Sequence, residues 1–210
     1  MFFHVHGIIL RDQPFREHDR IFSLYTKERG KLEIRAVGVR KIRSRLVSQL
    51  ALPKISQFFL VNSRFLPKVI GVVSLKNLSN IFLEEEAIQC TRFLLYLVDR
   101  FTKEGVIDEE IFFLLQISLE DLNELARSGV KDAMQYEELA RVFFLSFVSL
   151  LGYSPKREQC FLCRHATLLE ERFVVEQNIV LCRLCTNKFQ FLEQHSHVYL
   201  SFIHLLEFTT

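Results

Sequence analysis

The sequence predicts an α+β protein in which a small five-stranded barrel precedes a helical domain with an inserted metal-binding element. Three observations support this fold class. Short segments of β character, divided by turn residues, fill the first 80 of the 210 residues. After Ser79 the hydrophobic period becomes that of helices, and two closely spaced pairs of cysteines follow near the end of the sequence. We therefore predict two domains, residues 1–80 and residues 81–210.

The N-terminal domain contains five segments with the composition and alternation of strands. The pattern is clearest where Leu32, Ile34 and Ala36 alternate with charged side chains, so that one face can pack while the other stays in water. An unusually long connection, residues 38–53, follows this strand. Five strands with a long polar insertion favour a small, partly open barrel of the OB-fold type over a sandwich. The predicted strands are residues 2–10, 20–26, 31–37, 55–61 and 68–75.

Three helices and a final amphipathic segment are predicted in the C-terminal domain. The first helix ends near Gly105. Asp108 is the expected N-cap of the second helix, because its side chain can accept hydrogen bonds from free N–H groups of the first turn, and Gly129 should end that helix. The third helix, residues 133–151, is apolar nearly all round and is therefore expected in the middle of the domain. The last segment covers about residues 187–206.

Four cysteines in two tight pairs predict a structural zinc site. Their spacing is C-x2-C-x18-C-x2-C, which lets both sulfurs of each pair converge on one ion and lets four thiolates complete a tetrahedral shell. With four protein ligands no position is left for substrate, so we expect one structural zinc per chain, in an element spanning about residues 156–190. The alternatives are an iron–sulfur cluster, buried thiols without metal, or one transient disulfide. The predicted ligands are Cys160, Cys163, Cys182 and Cys185.

Composition and motifs argue against several classes of function. With 49% hydrophobic residues the chain can form a sizeable core, which excludes a disordered protein. The sequence lacks the H-x-E motif of zinc deaminases and any glycine-rich phosphate loop, so we predict no enzyme. No apolar run approaches the ~18 residues of a membrane span, and the first residues do not resemble a signal peptide. We therefore expect a cytoplasmic protein that does not bind membranes.

Basic residues are concentrated in the first domain. Residues 1–80 hold 15 Lys and Arg but 5 Asp and Glu, a net charge of +10, whereas residues 81–210 hold 12 and 20, a net charge of −8. A surplus of this size would repel itself without a polyanion, which predicts a nucleic-acid partner. The candidate contacts are Arg35, Arg40, Lys41, Arg43 and Arg45.

Aromatic residues of the same domain are possible stacking partners for bases. Most Phe residues of this chain must be buried, however, so a place in the core is the favoured interpretation for any single one. The aromatic candidates are Phe15, Phe22, Tyr25, Phe58 and Phe59.

Several short motifs occur in an order and spacing typical of one known family. They are Ile8-Ile9-Leu10, the run EHDRIFSLYTKERGKL at residues 17–32, AVGVRK at residues 36–41, Ser44-Arg45-Leu46, and LLGYSP at residues 150–155 ahead of the cysteine pairs. Together they resemble the RecO family of bacterial recombination mediator proteins over nearly the whole chain. Two departures occur near the cysteines: Arg164 stands where the family commonly has glycine, and residues 176–181 lack the usual glycines.

The resemblance implies an architecture and a function. Members have an N-terminal OB-fold followed by a helical domain, and many carry a four-cysteine zinc site. They bind single- and double-stranded DNA and anneal complementary strands. With RecR, and in many bacteria RecF, they help RecA replace single-strand-binding protein on DNA during repair. The implied DNA contacts are the basic residues within 36–45, and the implied metal ligands are the four cysteines.

Two other functions fit the residues taken alone. A zinc-containing OB-fold could bind RNA, because barrels that follow the phosphate backbone tolerate either nucleic acid. A protein adaptor could use the basic face for an acidic partner domain, with no nucleic acid involved. Competition between matched DNA and RNA separates the first alternative, and a pull-down free of nucleic acid separates the second.

Overall fold

Five strands form a closed barrel at the N-terminal end of the chain. The computed structural model describes residues 1–41, 46–50, 53–129, 132–153, 173–175 and 179–181. In the barrel the strands follow the order β1-β2-β3-β5-β4, and β4 returns to β1. Closure between β3 and β5 is made by a single parallel pair, Arg35 opposite Lys68. The strands are β1 (Phe2–Phe15), β2 (Asp19–Thr26), β3 (Gly30–Ala36), β4 (Lys54–Val61) and β5 (Lys68–Asn77).

Strand β1 is longer than the sequence predicts. It pairs with β4 through residues 2–8 and with β2 through residues 7–15, with a bulge between Ile9 and Arg11. Pro14 suggests a turn in the sequence, yet in the structure it lies in the part of β1 that pairs with β2 alone. A proline is tolerated in such a half-paired segment, because its missing N–H removes no bond to a second neighbour. The prediction that this strand ends at Leu10 is therefore wrong by five residues.

The barrel interior is a continuous apolar core. Val5, Leu24, Ile34 and Phe58 are fully buried, and they pack with further apolar side chains from all five strands. The alternation predicted for β3 is confirmed at Ile34 and Ala36, which face inward. Burial of this apolar surface is the main free energy that holds the strands together.

Helices follow the barrel in the predicted order. A short helix α1 (Leu46–Gln49) interrupts the long connection, and a 3₁₀ helix (Ser79–Leu83) follows β5. The three long helices are α2 (Glu85–Phe101), α3 (Glu109–Ser128) and α4 (Ala133–Leu150). The α+β class and the five-stranded N-terminal barrel followed by three helices are thus confirmed.

Helix ends and helix faces largely follow the sequence signals. The Asp108 carboxylate accepts hydrogen bonds from the N–H groups of Glu110 and Ile111, as expected of an N-cap, and Gly129 ends α3 in a left-handed conformation. Helix α4 buries Tyr136 but leaves Val142 37% exposed. The prediction that α4 is enclosed on all sides is therefore only partly right.

Contacts divide the chain into two compact units, Met1–Phe144 and Leu145–Thr210. The barrel, α2 and α3 lie in the first unit, and an antiparallel hairpin of β6 (Phe173–Val175) and β7 (Ile179–Leu181) lies in the second. The division at residue 80 stays a prediction. The predicted segment at residues 187–206 lies outside the described residues. Among the helices described, none is long and apolar enough to cross a membrane.

Candidate nucleic-acid interface

Three loops meet at one end of the barrel. The β1–β2 turn is joined to the loop after β3 because the Arg40 N–H donates to the His18 carbonyl over 3.0 Å. The β4–β5 loop is joined to the end of β3 because the Arg35 N–H donates to the Pro67 carbonyl over 2.8 Å. We call the described residues 16–18, 37–41 and 62–68 the three-loop surface. Strand order brings these segments together from three separate parts of the sequence.

A buried carboxylate fixes two of these loops. Oδ1 of Asp19 accepts a hydrogen bond from the Gly38 N–H over 2.7 Å, and Oδ2 accepts one from Nε of Arg35 over 2.9 Å and a second from its Nη2. The Gly38 N–H, together with the Arg35 guanidinium, holds the pKa of Asp19 below its usual value despite burial. Asp19 is therefore charged at neutral pH and holds the loop after β3 against the start of β2.

Arg35 occupies a different position from the other predicted DNA contacts. Its guanidinium forms an ion pair with Asp19 and lies 5.1 Å from the ring centroid of Phe15, and its side chain is only 20% exposed. Because Asp19 neutralises its charge, the structure assigns Arg35 a positioning role at the base of the three-loop surface. Its contact with DNA stays a prediction.

Arg40 and Lys41 are exposed on the three-loop surface. Neither forms an ion pair within the described part of the chain. Their charges are therefore available to an anionic ligand. The remaining two predicted contacts, Arg43 and Arg45, lie outside the described residues.

The structure adds three basic residues that sequence reasoning missed. Arg16 lies in the β1–β2 turn with its guanidinium 5.3 Å from the Phe15 ring centroid, and Arg64 and Lys68 lie in and after the β4–β5 loop. None of the three forms an ion pair with a residue that the structure describes, although the charge of Arg16 helps to lower the pKa of Asp19. Each lies at or near a strand end, so the order of strands in the barrel, and no local pattern, places them at the same barrel end as Arg40.

Most of the aromatic candidates belong to the core. Phe22, Tyr25 and Phe58 are buried, as the favoured interpretation of the sequence held. Phe15 is half-buried and Phe59 is 37% exposed. The sequence reasoning passed over Phe65, which is 83% exposed in the β4–β5 loop. Its polar neighbours in the sequence, Asn62-Ser63-Arg64, were the available signal.

The positive charge of the barrel has a partial explanation in packing. Nζ of Lys31 lies 2.8 Å from Oδ1 of Asp99 on α2, and Nε of Arg11 lies 2.8 Å from Oδ2 of the same carboxylate. Glu109 and Glu120 of α3 pair with Lys27 and Lys76 at 3.7 and 2.6 Å. The expectation that the surplus charge needs a polyanion is therefore wrong for these four residues, because carboxylates of the helices already neutralise them. The acidic helices neutralise them and leave the three-loop surface as a basic region of the barrel.

Asp99 of α2 is the carboxylate that contacts the most barrel residues in these ion pairs. Burial by itself would raise the pKa of Asp99, but hydrogen bonds from Lys31 and Ser23 and the charges of Lys31 and Arg11 lower it below its usual value. The Ser23 hydroxyl donates to Oδ1 over 2.9 Å. One carboxylate of α2 thus contacts all of the first three strands of the barrel.

The four predicted zinc ligands lie outside the described residues. The described β6–β7 hairpin falls between the two cysteine pairs in the sequence and places Phe173 opposite Leu181, the residue before Cys182. A hairpin between two such pairs is compatible with a compact element that brings the pairs together. Four thiols are a donor set that zinc favours. Among the described residues, no group of His, Cys, Asp or Glu could hold a metal.

Comparisons with known proteins match both parts of the chain. The family model "Recombination protein O N terminal" matches residues 1–77, and "Recombination protein O C terminal" matches residues 86–208. The chain belongs to the RecO family of DNA repair proteins. The N-terminal RecO match contains the whole barrel and all three loops, and the C-terminal match contains all four cysteines.

Individual RecO relatives are similar over most of this chain. The DNA repair protein RecO of Pelotomaculum thermopropionicum is 34% identical over 85% of the chain and 66% of its own length. The RecO protein of Alkaliphilus metalliredigens is 25% identical over 85% of the chain and 70% of its own length. The RecO protein of Listeria monocytogenes is 27% identical over 87% of the chain and 68% of its own length. The chain thus spans about two thirds of the length of the curated relatives that it matches.

Proposed function

We propose that this chain binds single- and double-stranded DNA through its three-loop surface and anneals complementary strands. The observation that carries the proposal is that Arg16, Arg40, Lys41, Arg64 and Lys68 lie at one end of an OB-type barrel and form no ion pair with the described residues. Arg43 and Arg45 follow Arg40 and Lys41 in the sequence, and the proposal includes them among the DNA contacts. Membership of the RecO family supports the choice of DNA over other polyanions.

The mechanism follows from the charge of the surface. Lys and Arg side chains that neutralise phosphates release condensed counterions, which favours binding to any sequence. Two DNA strands repel each other through their phosphates, so a basic surface that holds both lowers the free energy needed to bring them together. Phosphate contacts leave the base edges free to pair. No covalent step is required of the protein.

We also propose the partners that the family resemblance implies. In this proposal the chain acts with RecR, and with RecF where it is present, and helps RecA replace single-strand-binding protein on DNA. Support comes from the family match over both halves of the chain. The surfaces that would contact these proteins are not assigned to residues.

A structural zinc is the remaining part of the proposal. Cys160, Cys163, Cys182 and Cys185 would hold the ion, and its role would be to stabilise the fold, because a tetrahedral shell of four thiolates leaves no open position. The spacing of the pairs, the chemistry of the donors and the hairpin between the pairs support it.

Charge reversal on the three-loop surface tests DNA binding. We expect Arg40→Glu with Lys41→Glu to weaken binding of fluorescent single-stranded DNA at every sequence. The slope of log K against log salt should become less steep by about 1–2, because about two phosphate contacts are lost. Adding Arg43→Glu and Arg45→Glu should extend both effects. Fluorescence anisotropy over a salt series measures them.

A matched control separates the surface from net charge. Arg92→Glu with Arg100→Glu changes the charge of the chain by the same amount on exposed positions of α2 and should leave the salt slope unchanged. Equal slopes for all three proteins would refute the assignment of the surface. Annealing of complementary oligonucleotides by the same preparations should fall with binding, and competition with matched RNA would reveal a preference for RNA instead.

A further inference from the structure

Phe65 is an exposed aromatic side chain on a loop whose backbone is held from both sides. The Ser63 hydroxyl donates to the Leu66 carbonyl over 2.7 Å, which closes the turn around Phe65. The Pro67 carbonyl accepts the Arg35 N–H, which joins the loop to β3. The Phe65 side chain is nevertheless 83% exposed. An apolar ring is thus presented to solvent by a turn that is already formed.

One positive charge lies against this ring, and others lie on the same three-loop surface. The Arg64 guanidinium lies 5.5 Å from the Phe65 ring centroid, and Lys68 follows three residues later at the start of β5. The hydrogen bonds that join the three loops bring the turn of Arg16 and the loop of Arg40 to the same barrel end. Single-strand-binding proteins combine these two features, a basic track for phosphates and an aromatic ring for bases.

We infer that Phe65 is the base-stacking residue of the three-loop surface for single-stranded DNA. The inference rests on the proposed function, and it replaces the aromatic candidates of the sequence, three of which are core residues. Basic side chains of the same surface would hold the phosphates that flank the stacked base. Arg64 would cover part of the ring and leave the rest for the base.

Stacking on Phe65 gives the surface a preference that charge alone does not provide. Phosphates are present in single strands and duplexes alike, whereas the bases of a duplex are already stacked on each other. Phe65→Ala should therefore weaken single-stranded DNA binding about 5- to 150-fold, the equivalent of about 1–3 kcal/mol for one stacked base. Binding of duplex DNA should change less than twofold.

Three variants make the affinity measurement specific. Phe65→Tyr keeps an aromatic ring and should retain the single-strand affinity. Phe82→Ala removes another exposed ring, 58% exposed in the 3₁₀ helix beyond the other end of β5, and should have no effect. Equal losses on single strands and duplexes for Phe65→Ala would indicate a structural defect and overturn the inference.

A direct probe of stacking is available because the chain contains no tryptophan. In Phe65→Trp the indole at this position is the sole tryptophan, and its fluorescence should be quenched when a thymine oligonucleotide stacks on it. An abasic oligonucleotide of the same length should bind with little quenching. Phe82→Trp should show no quenching with either oligonucleotide.

The outcomes separate this inference from the proposed function. If anisotropy reports DNA binding but Phe65→Trp is not quenched and Phe65→Ala binds normally, DNA binding stands and the role of Phe65 is refuted. If neither single strands nor duplexes bind at low salt, the proposed function itself fails. Quenching with a selective loss of single-strand affinity in Phe65→Ala supports the inference.

Discussion

Asp19 is a buried carboxylate that holds part of the candidate interface in place. Its two oxygens bind the Gly38 N–H and the Arg35 guanidinium, so one buried carboxylate joins β2, β3 and the loop that begins after β3. Arg35 in turn lies against Phe15 at the end of β1. A buried carboxylate thus holds the start of the loop that carries Arg40 and Lys41.

Removal of this charge should destabilise the barrel. Asp19→Asn leaves the Arg35 guanidinium without its counter-ion and weakens the bond to Gly38, so we expect the free energy of unfolding to fall by about 2–3 kcal/mol. Chemical denaturation measures the change. Glu17→Gln, two residues away on an exposed side chain, should change stability by less than about 0.5 kcal/mol. Similar effects of the two substitutions would contradict the role of Asp19.

The cost of Asp19→Asn should depend on pH. Since the pKa of Asp19 is lowered in the folded protein, the unfolded chain takes up its proton first as the pH falls. The stability that Asp19 contributes is therefore complete above the unfolded pKa of about 4 and is lost as the pH falls through the folded pKa. Denaturation at pH 7 and near pH 3 should show a smaller difference between the two proteins at the lower pH. A constant difference would argue against a charged Asp19.

At the scale of elements, the β2–β3 hairpin packs its turn against the loop between α2 and α3. The Gly105 N–H donates to the Lys31 carbonyl over 3.1 Å, and the Tyr25 hydroxyl donates to the Asp108 carbonyl over 3.3 Å. Burial of its hydroxyl raises the pKa of Tyr25. Gly30 has a φ of +61°, and a Cβ there would lie 1.8 Å from the Val106 carbonyl oxygen. The close approach of the two backbones requires a residue without a side chain.

Two glycine substitutions separate backbone conformation from this close approach. Gly105 also has a positive φ, +74°, but its Cβ would meet no atom within 4 Å. Gly105→Ala should therefore lower the free energy of unfolding by about 1–2 kcal/mol, because alanine is strained in the left-handed conformation. Gly30→Ala should lower the free energy of unfolding by clearly more, about 3 kcal/mol or above, because the hairpin must also move away from the loop. Thermal and chemical denaturation of both variants measure the difference, and equal costs would show that the contact contributes nothing.

At the scale of the whole molecule, the two signs of charge are arranged for both folding and binding. Acidic residues of α2 and α3 neutralise Arg11, Lys27, Lys31 and Lys76, and Asp99 alone meets two of them. The cations on the three-loop surface lack such partners among the described residues. The near-neutral chain, with a formal charge of +2, is thus consistent with a locally basic surface.

Zinc removal is expected to act on the C-terminal part of the molecule. We expect one equivalent of zinc per chain by elemental analysis, and loss of the metal with a lower melting temperature in Cys182→Ser with Cys185→Ser, because metal binding contributes folding free energy. Cys90→Ala should keep the metal, since Cys90 is buried in α2 within the first compact unit. If elemental analysis finds no metal in the purified wild-type protein, the site is refuted. If the protein instead contains iron and sulfide, the four cysteines hold an iron–sulfur cluster.

Local physical rules were enough for much of the fold. Period-two alternation predicted β3, Asp108 and Gly129 marked the ends of α3, and the motif order indicated the family that both family models match. These signals are carried by neighbouring residues and by side-chain chemistry, so they can be identified before the chain folds. The sequence failed at the end of β1, where Pro14 is compatible with a strand only because that part of β1 has a single neighbour.

The types of element, their order and the excess of positive charge in the barrel can be predicted from the residues alone. Which of the positive charges stay unpaired follows from the folded arrangement of the strands and helices. Arg35 and Arg40 look alike in the sequence, but Asp19 pairs with Arg35 and leaves Arg40 exposed. Phe58 and Phe65 differ in burial because one faces the barrel interior and the other lies in a turn. Ion pairs and aromatic burial depend on contacts between residues far apart in the chain, and the order of strands in the closed barrel sets those contacts.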